Sequence, residues 1–241
     1  MPFLFGASCF LCGSGGILTM GYLYEMHAHT CDVSPCGRVT PERLVALYLA
    51  AGYSGVVITN HLSRHVYRER EDWPWEQKVD YFLNGYRRAK EAGGLTILLG
   101  MEITFWESDN DYLVYGLTED FLYEHGDLRE LGIARFHALA QKNQLLVFQA
   151  HPFRNNMKVV DPQFLDGIET NNGNSHHDSR NTIAQLWARQ HQLLEVSGSD
   201  FHYEEDVARG GILLPQPVAN NQELLAALRS KPVLLAATDS R

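Results

Sequence analysis

The chain has 241 residues, of which 45% are hydrophobic, so its length and composition are typical of one large domain with a sizeable core. The formal net charge is -9 without any run of Lys and Arg, which disfavours stable nucleic-acid binding and an anionic membrane surface, although bound cations would admit a phosphate ligand. The four cysteines, Cys9, Cys12, Cys31 and Cys36, suggest no disulfide framework, and a reducing cytoplasm is the expected location.

Residues 1–20 contain no charged side chain. They lack the basic start of a signal peptide, and Gly and Ser interrupt the apolar run that a membrane span needs. The Cys9-x-x-Cys12 pair also lacks the second cysteine pair of a common zinc site. We interpret residues 1–20 as an extension, or as a start assigned upstream of Met20, and residues 21–241 as a single domain.

Apolar periodicity and turn residues predict alternating strands and helices along the rest of the chain. In chain order we expect strand 22–24, helix 41–51, strand 55–59, an irregular loop over 62–72, helix 75–92, strands 95–99 and 112–115, helix 128–143, strands 145–149 and 167–169, helix 180–192, strands 193–196 and 211–214, helix 222–229 and strand 233–236. The first helix has a clear start, with Thr40 as N-cap and Pro41 at the first helical position. Continuous apolar runs such as Val56-Val57-Ile58 are typical of strands buried on both faces.

This alternation predicts an α/β fold in which parallel strands are covered by helices, and the chain length is typical of a β/α barrel. Clusters of polar residues follow several of the predicted strands. In a barrel the carboxyl ends of the strands share one face, where active sites lie. Side chains as distant in sequence as His27 and His202 are therefore expected to meet.

The first polar cluster is a His-x-His pair, His27 and His29, at the end of the first strand. Side chains on a strand alternate between faces, so both imidazoles point to the same side. An isolated pair of this kind is more often two core histidines that bond to the backbone. Here four further clusters follow apolar runs, and a divalent transition metal is the usual partner of buried imidazoles.

The candidate ligands are five imidazoles and two carboxylates: His27, His29, His61, Glu102, His151, Asp200 and His202. One catalytic zinc usually has three protein ligands and an open position, so this set predicts two or more ions. Such a pair activates a water and stabilises the leaving oxygen of an in-line displacement. Glu102 is the candidate bridge, because a carboxylate offers one oxygen to each ion.

Arg154 lies three residues after His151, and two interpretations of it stay open. Its guanidinium matches two phosphate oxygens at once, which is typical of a phosphate-binding residue. It is equally suited to a salt bridge with a barrel carboxylate. Glu169 and Asn171 follow a strand to the same face, where they either support the ligands or contact substrate.

The chain resembles the PHP (polymerase and histidinol phosphatase) family from about Tyr22 to the C-terminus. The resemblance rests on an ordered set of motifs, His27-Ala-His29, Asn60-His61, Gly-Met-Glu102, His151-Pro and Gly-Ser-Asp200-Phe-His202. It implies a distorted (β/α)7 barrel of the PHP type over residues 21–241, with two or three divalent metal ions and phosphoester hydrolysis. It also implies one ion bound by His27, His29, Glu102 and Asp200, and others bound by His61, His151 and His202, with Glu102 shared.

Three positions depart from the family pattern. Members commonly have Asp before the second-motif His, where this chain has Asn60, and we expect this change to retune a ligand without removing it. Many have His or Asp five residues after the His-x-His pair, where this chain has Ser34; Asp32 could substitute if the loop bends. Many also have His in place of Asp111, and a carboxylate there favours manganese over zinc.

We therefore expect a metal-dependent phosphoesterase that hydrolyses a small phosphomonoester or nucleotide, with Mn, Zn or Fe as the ions. Catalytic roles are assigned to Glu102, Arg154 and His202. Two alternatives stay open: an amidohydrolase-like metal hydrolase, whose frequent bridging lysine has no obvious counterpart here, and a metal-binding regulatory module with weak turnover. Nothing in the sequence selects the physiological substrate or the oligomeric state.

Overall fold

Within residues 21–236, which the computed structural model describes, ten strands form one sheet. The strands are β1 (Tyr22–Ala28), β2 (Gly55–Ile58), β3 (His61–Leu62), β4 (Thr96–Thr104), β5 (Asp111–Tyr115), β6 (Leu146–Gln149), β7 (Gly167–Asn172), β8 (Leu194–Gly198), β9 (Gly210–Leu214) and β10 (Val233–Ala236). Their order in the sheet is β10-β9-β1-β2-β4-β5-β6-β7-β8, with β3 paired to β4. The predicted extension 1–20, with its Cys9-x-x-Cys12 pair, lies outside the described residues, as do residues 237–241.

The helices pack against this sheet. They are α1 (Pro41–Ala50), α2 (Arg64–Tyr67), α3 (Trp75–Ala92), α4 (Glu119–Glu124), α5 (Gly132–Lys142), α6 (Asn181–His191) and α7 (Asn221–Arg229), with 3-10 turns at Leu128–Glu130, Pro162–Phe164 and Glu204–Asp206. One apolar cluster joins the sheet to α1, α3, α5 and α6, and a second joins β1, β4, β5 and β6 to α7. In the described part of the chain, no helix is both long and apolar enough to cross a bilayer.

The sheet nearly closes into a barrel where β1 meets the residues after β8. His29 donates its backbone N–H to the carbonyl of Phe201 at 3.0 Å, and Phe201 donates to the carbonyl of His27 at 3.0 Å. Nearby, the buried carboxylate of Glu25 accepts from the backbone N–H of Ser199 at 2.8 Å and from the hydroxyl of Tyr48 at 2.7 Å. The predicted distorted barrel is confirmed, and its closure brings the ends of β1 and β8 together.

The expectation of parallel strands throughout is wrong at two places. β5 runs antiparallel to both β4 and β6, and β9 runs antiparallel to β1 and β10. The connection 105–110 between β4 and β5 is shorter than the dozen or more residues that a parallel crossover needs. A short connection therefore forces β5 to turn back along β4.

Two helix predictions also need correction. The loop expected over 62–72 contains α2, whose first turn is capped when the backbone N–H of Val66 donates to the hydroxyl of Ser63. The helix expected over 128–143 is divided, because Gly132 has a φ of 69° and an α-helix cannot continue through left-handed backbone. The helix of residues Glu119–Glu124 is absent from the sequence prediction, since six residues are too few to display a helical period.

Candidate metal centre

The seven predicted ligand residues lie on or just after strands, and the sheet brings them together. They are His27 and His29 at the end of β1, His61 in β3, Glu102 in β4, His151 after β6, and Asp200 and His202 after β8. β4 extends to Thr104, five residues beyond the predicted end of the strand, so Glu102 lies within the strand and pairs in register with His61. His151 and Asp200 have φ values of 27° and 51°, a strained backbone that is common at functional sites.

Glu102 is fully buried at the centre of this cluster. Its Oε2 atom lies 2.9 Å from Nδ1 of His61, 3.2 Å from Nε2 of His29 and 3.3 Å from Nε2 of His27. Its Oε1 atom lies 3.1 Å from Nε2 of His151. One carboxylate thus faces four imidazoles, and its two oxygens point to different partners. A carboxylate that is shared by two ions needs this arrangement.

Three groups of ligand-type side chains within residues 21–236 have donor atoms within 4.8 Å of one another, close enough to hold a metal ion. The groups are His27, His29 and Asp200; His29, His61 and His202; and Glu102, Asp111 and His151. Asp111 is therefore brought to the cluster, with its Oδ2 atom 3.9 Å from Nε2 of His151. These groups offer donors for several ions.

Hydrogen bonds behind the cluster fix which nitrogen of two histidines faces inward. Nδ1 of His27 donates to Oε1 of Glu169 at 2.9 Å, so Nε2 is the nitrogen that faces the cluster and can bind an ion once its proton is displaced. Nδ1 of His29 donates to the hydroxyl of Ser34 at 3.2 Å, with the same result for its Nε2 atom. The Ser34 hydroxyl in turn donates to Oδ1 of Asn60 at 3.2 Å. Asn60 thus supports His29 through Ser34 and contributes no donor atom to the three groups.

The donor set fits divalent metal ions. Five buried atoms of the cluster have no hydrogen-bond partner: Nε2 of His27, Nε2 of His29, Nδ1 of His61, Oε2 of Glu102 and Nδ1 of His151. A buried polar atom without a partner costs free energy, and metal ions bound between the first four atoms would satisfy them. Imidazole and carboxylate donors together suit zinc, iron or manganese.

The cluster also shifts the pKa values of its members. Burial alone would lower the pKa of His27 and of His61, but the carboxylates around them, chiefly Asp200 for His27 and Glu102 for His61, raise both well above 6.5. Burial would raise the pKa of Glu102, but the histidines hold it well below 4.5. The pKa of His29 is lowered by burial and by the nearby imidazoles. Without metal the cluster therefore retains protons that an ion must displace.

Comparison with protein families identifies this architecture. The family model of the PHP domain matches residues 25–210, which is most of the chain. This chain belongs to the PHP domain family. The predicted resemblance is thereby confirmed.

Several solved structures share the fold at low sequence identity. PsfC from Pseudomonas syringae has a TM-score of 0.68 at 14% identity, with 91% of this chain and 93% of PsfC covered. A two-domain protein from Bacteroides vulgatus that contains a predicted PHP-like metal-dependent phosphoesterase has a TM-score of 0.62 at 16% identity; 90% of this chain and 65% of that protein are covered.

The lesion-specific endonuclease PfuEndoQ from Pyrococcus furiosus has a TM-score of 0.59 at 13% identity, with 89% of this chain and 58% of that protein covered. The chain thus spans less than two thirds of the Bacteroides protein and of the endonuclease. At these identities the likeness shows the fold alone. A comparison with curated protein sequences gives no match.

Asp32 is the one predicted ligand that the PHP fold keeps away from the cluster. Its carboxylate accepts from Nη1 of Arg88 at 2.5 Å and from Nδ2 of Asn84 at 3.3 Å. Arg88 and Asn84 both lie on α3, so their attraction turns Asp32 toward that helix. This position corrects the expectation that Asp32 replaces the family ligand at Ser34.

Arg154 forms a salt bridge with a barrel carboxylate, which is one of the two interpretations left open by the sequence. Its Nη2 atom donates to Oδ2 of Asp200 at 2.7 Å, to Oδ1 of Asn172 at 3.1 Å and to the hydroxyl of Ser179 at 3.3 Å. All three bonds use one nitrogen, whereas Nε is buried without a hydrogen-bond partner. Arg154 also lines the cavity beside the cluster.

That cavity has a volume of about 620 Å³ and lies directly over the cluster. Its lining includes Glu102, Asp111, His151, Asp200 and His202, together with a rim formed by Cys36, Arg38, Arg154, Asn174, His176, His177 and Tyr203. His176 and His177, in the loop after β7, therefore border the same space as the candidate ligands. A volume of this size accommodates a molecule as large as a nucleotide.

Two residues at the site escape the sequence analysis. Asn172 donates from Nδ2 to Oδ2 of Asp200 at 3.1 Å and to Oε2 of Glu169 at 2.9 Å. Cys36 places its Sγ atom 3.1 Å from Nε2 of His202. Burial would raise the pKa of the Cys36 thiol, but the nearby histidines lower it to about 5. Cys36 was visible in the sequence as a ligand-type residue seven positions after His29, whereas nothing local marks Asn172.

Proposed function

We propose that the chain is a metal-dependent phosphoesterase that hydrolyses a small phosphomonoester or nucleotide. His27, His29, Glu102 and Asp200 are the proposed ligands of one ion. His61, His151 and His202 are the proposed ligands of the others, with Asp111 beside His151 and with Glu102 shared. When bound, such ions supply the Lewis acidity that activates a water and stabilises the leaving oxygen.

The position of Glu102 is the observation that carries this proposal. Its two oxygens contact imidazoles on different sides, at 2.9 Å to His61 and 3.1 Å to His151. A carboxylate used by a single ion needs no such arrangement. The shared carboxylate supports a site with two or more ions, which is the form that enzymes commonly use for in-line displacement at phosphorus.

The residues around the ligands support a phosphate substrate. The guanidinium of Arg154 lines the cavity and has free donors, since its bonds to Asp200, Asn172 and Ser179 all use Nη2. Its planar shape suits two oxygens of one phosphate group. Asp200 and Asn172 keep the guanidinium in place, which orients a bound phosphate before reaction. His202 lines the same cavity. As a metal ligand, it would help to position the reacting group.

The lysine positions favour a phosphoesterase over the amidohydrolase alternative. The five lysines of the chain all lie within the described residues, and the side chains that line the cavity include none of them. Lys78, the buried one, donates instead to the backbone carbonyl of Glu71. The bridging lysine that is frequent in amidohydrolases therefore has no counterpart near the cluster.

A metal-supplemented substrate screen tests the proposal. The purified chain is stripped with a chelator, reloaded with manganese, zinc or iron, and assayed for phosphate release from phosphorylated metabolites. Oligonucleotides belong in the same screen, because a lesion-specific endonuclease shares the fold. We expect hydrolysis of one or more phosphoesters that is lost with the chelator and restored by metal. Metal-loaded protein that hydrolyses amides but no phosphoester would replace this proposal with the amidohydrolase function.

A further inference from the structure

His29 belongs to two of the three candidate groups but has only one nitrogen free to bind an ion. Its Nδ1 atom donates to the hydroxyl of Ser34, so Nε2 is the donor atom. That Nε2 atom lies 3.6 Å from Oδ1 of Asp200, and His27 Nε2 lies 3.4 Å from the same oxygen. If His29 binds the ion beside His27 and Asp200, an ion beside His61 and His202 needs another donor.

Cys36 is placed to be that donor. Its Sγ atom lies 3.1 Å from Nε2 of His202, whose Nδ1 atom donates to the backbone carbonyl of Asp200 at 2.8 Å. Nε2 therefore has a free lone pair on the side of the sulfur. Nitrogen and sulfur atoms bound to one tetrahedral zinc at about 2.0 and 2.3 Å lie about 3.5 Å apart. The observed separation is close to that distance.

The loop that carries Cys36 is held by the same segment as His202. The backbone N–H of Arg38 donates to the carbonyl of His202 at 2.8 Å, and the N–H of Gly37 donates to the carbonyl of Ser34 at 2.9 Å. On the opposite side, Oε2 of Glu102 and Nδ1 of His61 are buried without hydrogen-bond partners and lie 2.9 Å apart. Cys36, His202, His61 and Glu102 line the same cavity and offer one donor atom each.

We propose that Cys36 is a thiolate ligand of the ion held by His61 and His202, with Oε2 of Glu102 as the fourth donor. On binding, the thiol proton leaves to solvent and the sulfur lone pair bonds to the ion. A thiolate is a soft ligand and favours zinc or iron at this position. Asp111 supplies a hard carboxylate ligand beside His151, where manganese is better suited. The two positions are therefore expected to prefer different metals.

This inference rests on the metal centre of the proposed function but not on its substrate, so a spectroscopic test separates the two. All samples carry Cys9→Ser and Cys12→Ser, which leaves Cys31 and Cys36 as the only thiols. The chelated protein is loaded with cobalt(II), bound cobalt is counted, and the near-ultraviolet spectrum is recorded. We expect a thiolate-to-cobalt charge-transfer band that Cys36→Ser removes and the matched control Cys31→Ser retains.

Each result of that experiment decides the inference. A band that persists in Cys36→Ser, or full cobalt occupancy without any band in the parent, would exclude Cys36 as a ligand. A parent protein that binds no cobalt, zinc or manganese would overturn the metal centre and the proposed function together. Absence of phosphoester hydrolysis in a protein that shows the band would leave the Cys36 ligand in place and refute only the substrate.

Alkylation of the unmutated protein gives a second measurement that needs no variant. The rate at which iodoacetamide modifies each cysteine is read by peptide mass spectrometry, with and without zinc. A metal-bound thiolate is a poor nucleophile, so we expect zinc to slow modification of Cys36 by about tenfold or more. Cys31, whose Sγ atom contacts Asp32 instead, is the internal control and should react at the same rate in both samples. Equal rates for Cys36 with and without bound zinc would refute the ligand role.

Discussion

Nδ1 of His27 donates a hydrogen bond of 2.9 Å to Oε1 of Glu169, and both side chains are buried away from solvent. The other oxygen of Glu169 accepts from the backbone N–H of His151 at 2.9 Å and from Nδ2 of Asn172. One carboxylate on β7 therefore orients residues from three separate parts of the sheet. We expect Glu169 to affect metal binding through the imidazole of His27 and not through a bond to the ion.

Replacing Glu169 with Gln tests this support. The amide can still accept from His27 through its oxygen, but its NH2 group then faces the N–H of His151 and the amide of Asn172, which are both donors. We expect metal affinity to fall by about 10–100-fold, the usual cost of removing such a support. Metal titration of the chelated protein measures this. Glu195→Gln, on the neighbouring strand β8, is the control and should bind metal normally; equal affinities in both variants would contradict the role of Glu169.

Replacing Glu102 with Gln tests the shared ligand. The shape of the side chain is retained, but the charge that balances His27 and His61 is lost and one donor oxygen becomes an NH2 group. We expect loss of bound metal, turnover lower by orders of magnitude, and lower stability of the metal-loaded form because metal binding contributes folding free energy. Metal analysis, phosphoester assays and thermal melts measure these effects.

Asp32→Asn is the matched control for that experiment. Asp32 is an acidic residue near the cluster in sequence, but its carboxylate pairs with Arg88 on α3. Metal content and turnover should therefore match those of the unmodified chain. Full metal occupancy and activity in Glu102→Gln would show that the shared ligand is misplaced, and loss of metal in Asp32→Asn would reverse the correction made for that residue.

The sequence predicts that these side chains lie together because their clustering depends on local rules. His27 and His29 share a face through the two-residue period of a strand, and His151 and Asp200 follow apolar strands whose carboxyl ends meet at one face. These relationships need no knowledge of side-chain packing. They therefore predict which residues meet, although the roles of those residues as ligands stay predictions.

Contacts that depend on long-range packing cannot be predicted from strand periodicity and strand ends. The turn of Asp32 toward α3 depends on Arg88, which is distant in sequence and is brought near only when α3 packs beside α1. The contact between Cys36 and His202 depends on the path of the loop before α1. The antiparallel direction of β5 does not follow from the alternation of strands and helices, and only the short connection before β5 indicates it.

The pH dependence of the metal-free protein follows from the shifted pKa values. His27 and His61 have pKa values well above 6.5 when folded, so their stabilising contribution is complete below pH 6.5 and is lost as the pH rises through the folded-state values. Glu102 has a pKa well below 4.5, so its contribution is complete above pH 4.5 and is lost as the pH falls through the folded-state value. The lowered pKa of His29 acts in a different range, because its charged form is disfavoured in the folded protein at acidic pH and this cost disappears as the pH rises to about 6.5.

We therefore expect the free energy of unfolding of the metal-free protein to be greatest between about pH 4.5 and 6.5. The metal-loaded protein should differ, because ions bind neutral imidazoles and their affinity rises with pH. Thermal melts of both forms across this range measure the effect. A metal-free melting temperature that rises steadily above pH 6.5 would contradict the assigned charge states of His27 and His61.

Replacing Arg154 with Lys separates its two contacts. The ammonium of lysine can retain the single ion pair with Asp200, but it cannot bind two phosphate oxygens in the manner of a guanidinium. We expect Arg154→Lys to keep its metal content while kcat/KM falls about ten- to a thousand-fold, roughly 1.4–4 kcal/mol of transition-state binding. Steady-state kinetics beside a metal assay and a thermal melt measure these quantities.

Arg154→Met is the companion variant, because it removes the charge beside Asp200 as well as the phosphate contact. The pKa of Asp200 is held well below 3.8, against the effect of burial, by His27 and other cationic neighbours that include Arg154. Removal of this charge should raise the pKa of Asp200 in Arg154→Met but not in Arg154→Lys, and NMR titration of the metal-free protein measures the difference. If Arg154→Lys instead retained full kcat/KM, the guanidinium would serve Asp200 alone, and the main local reason for a phosphoester substrate would be lost.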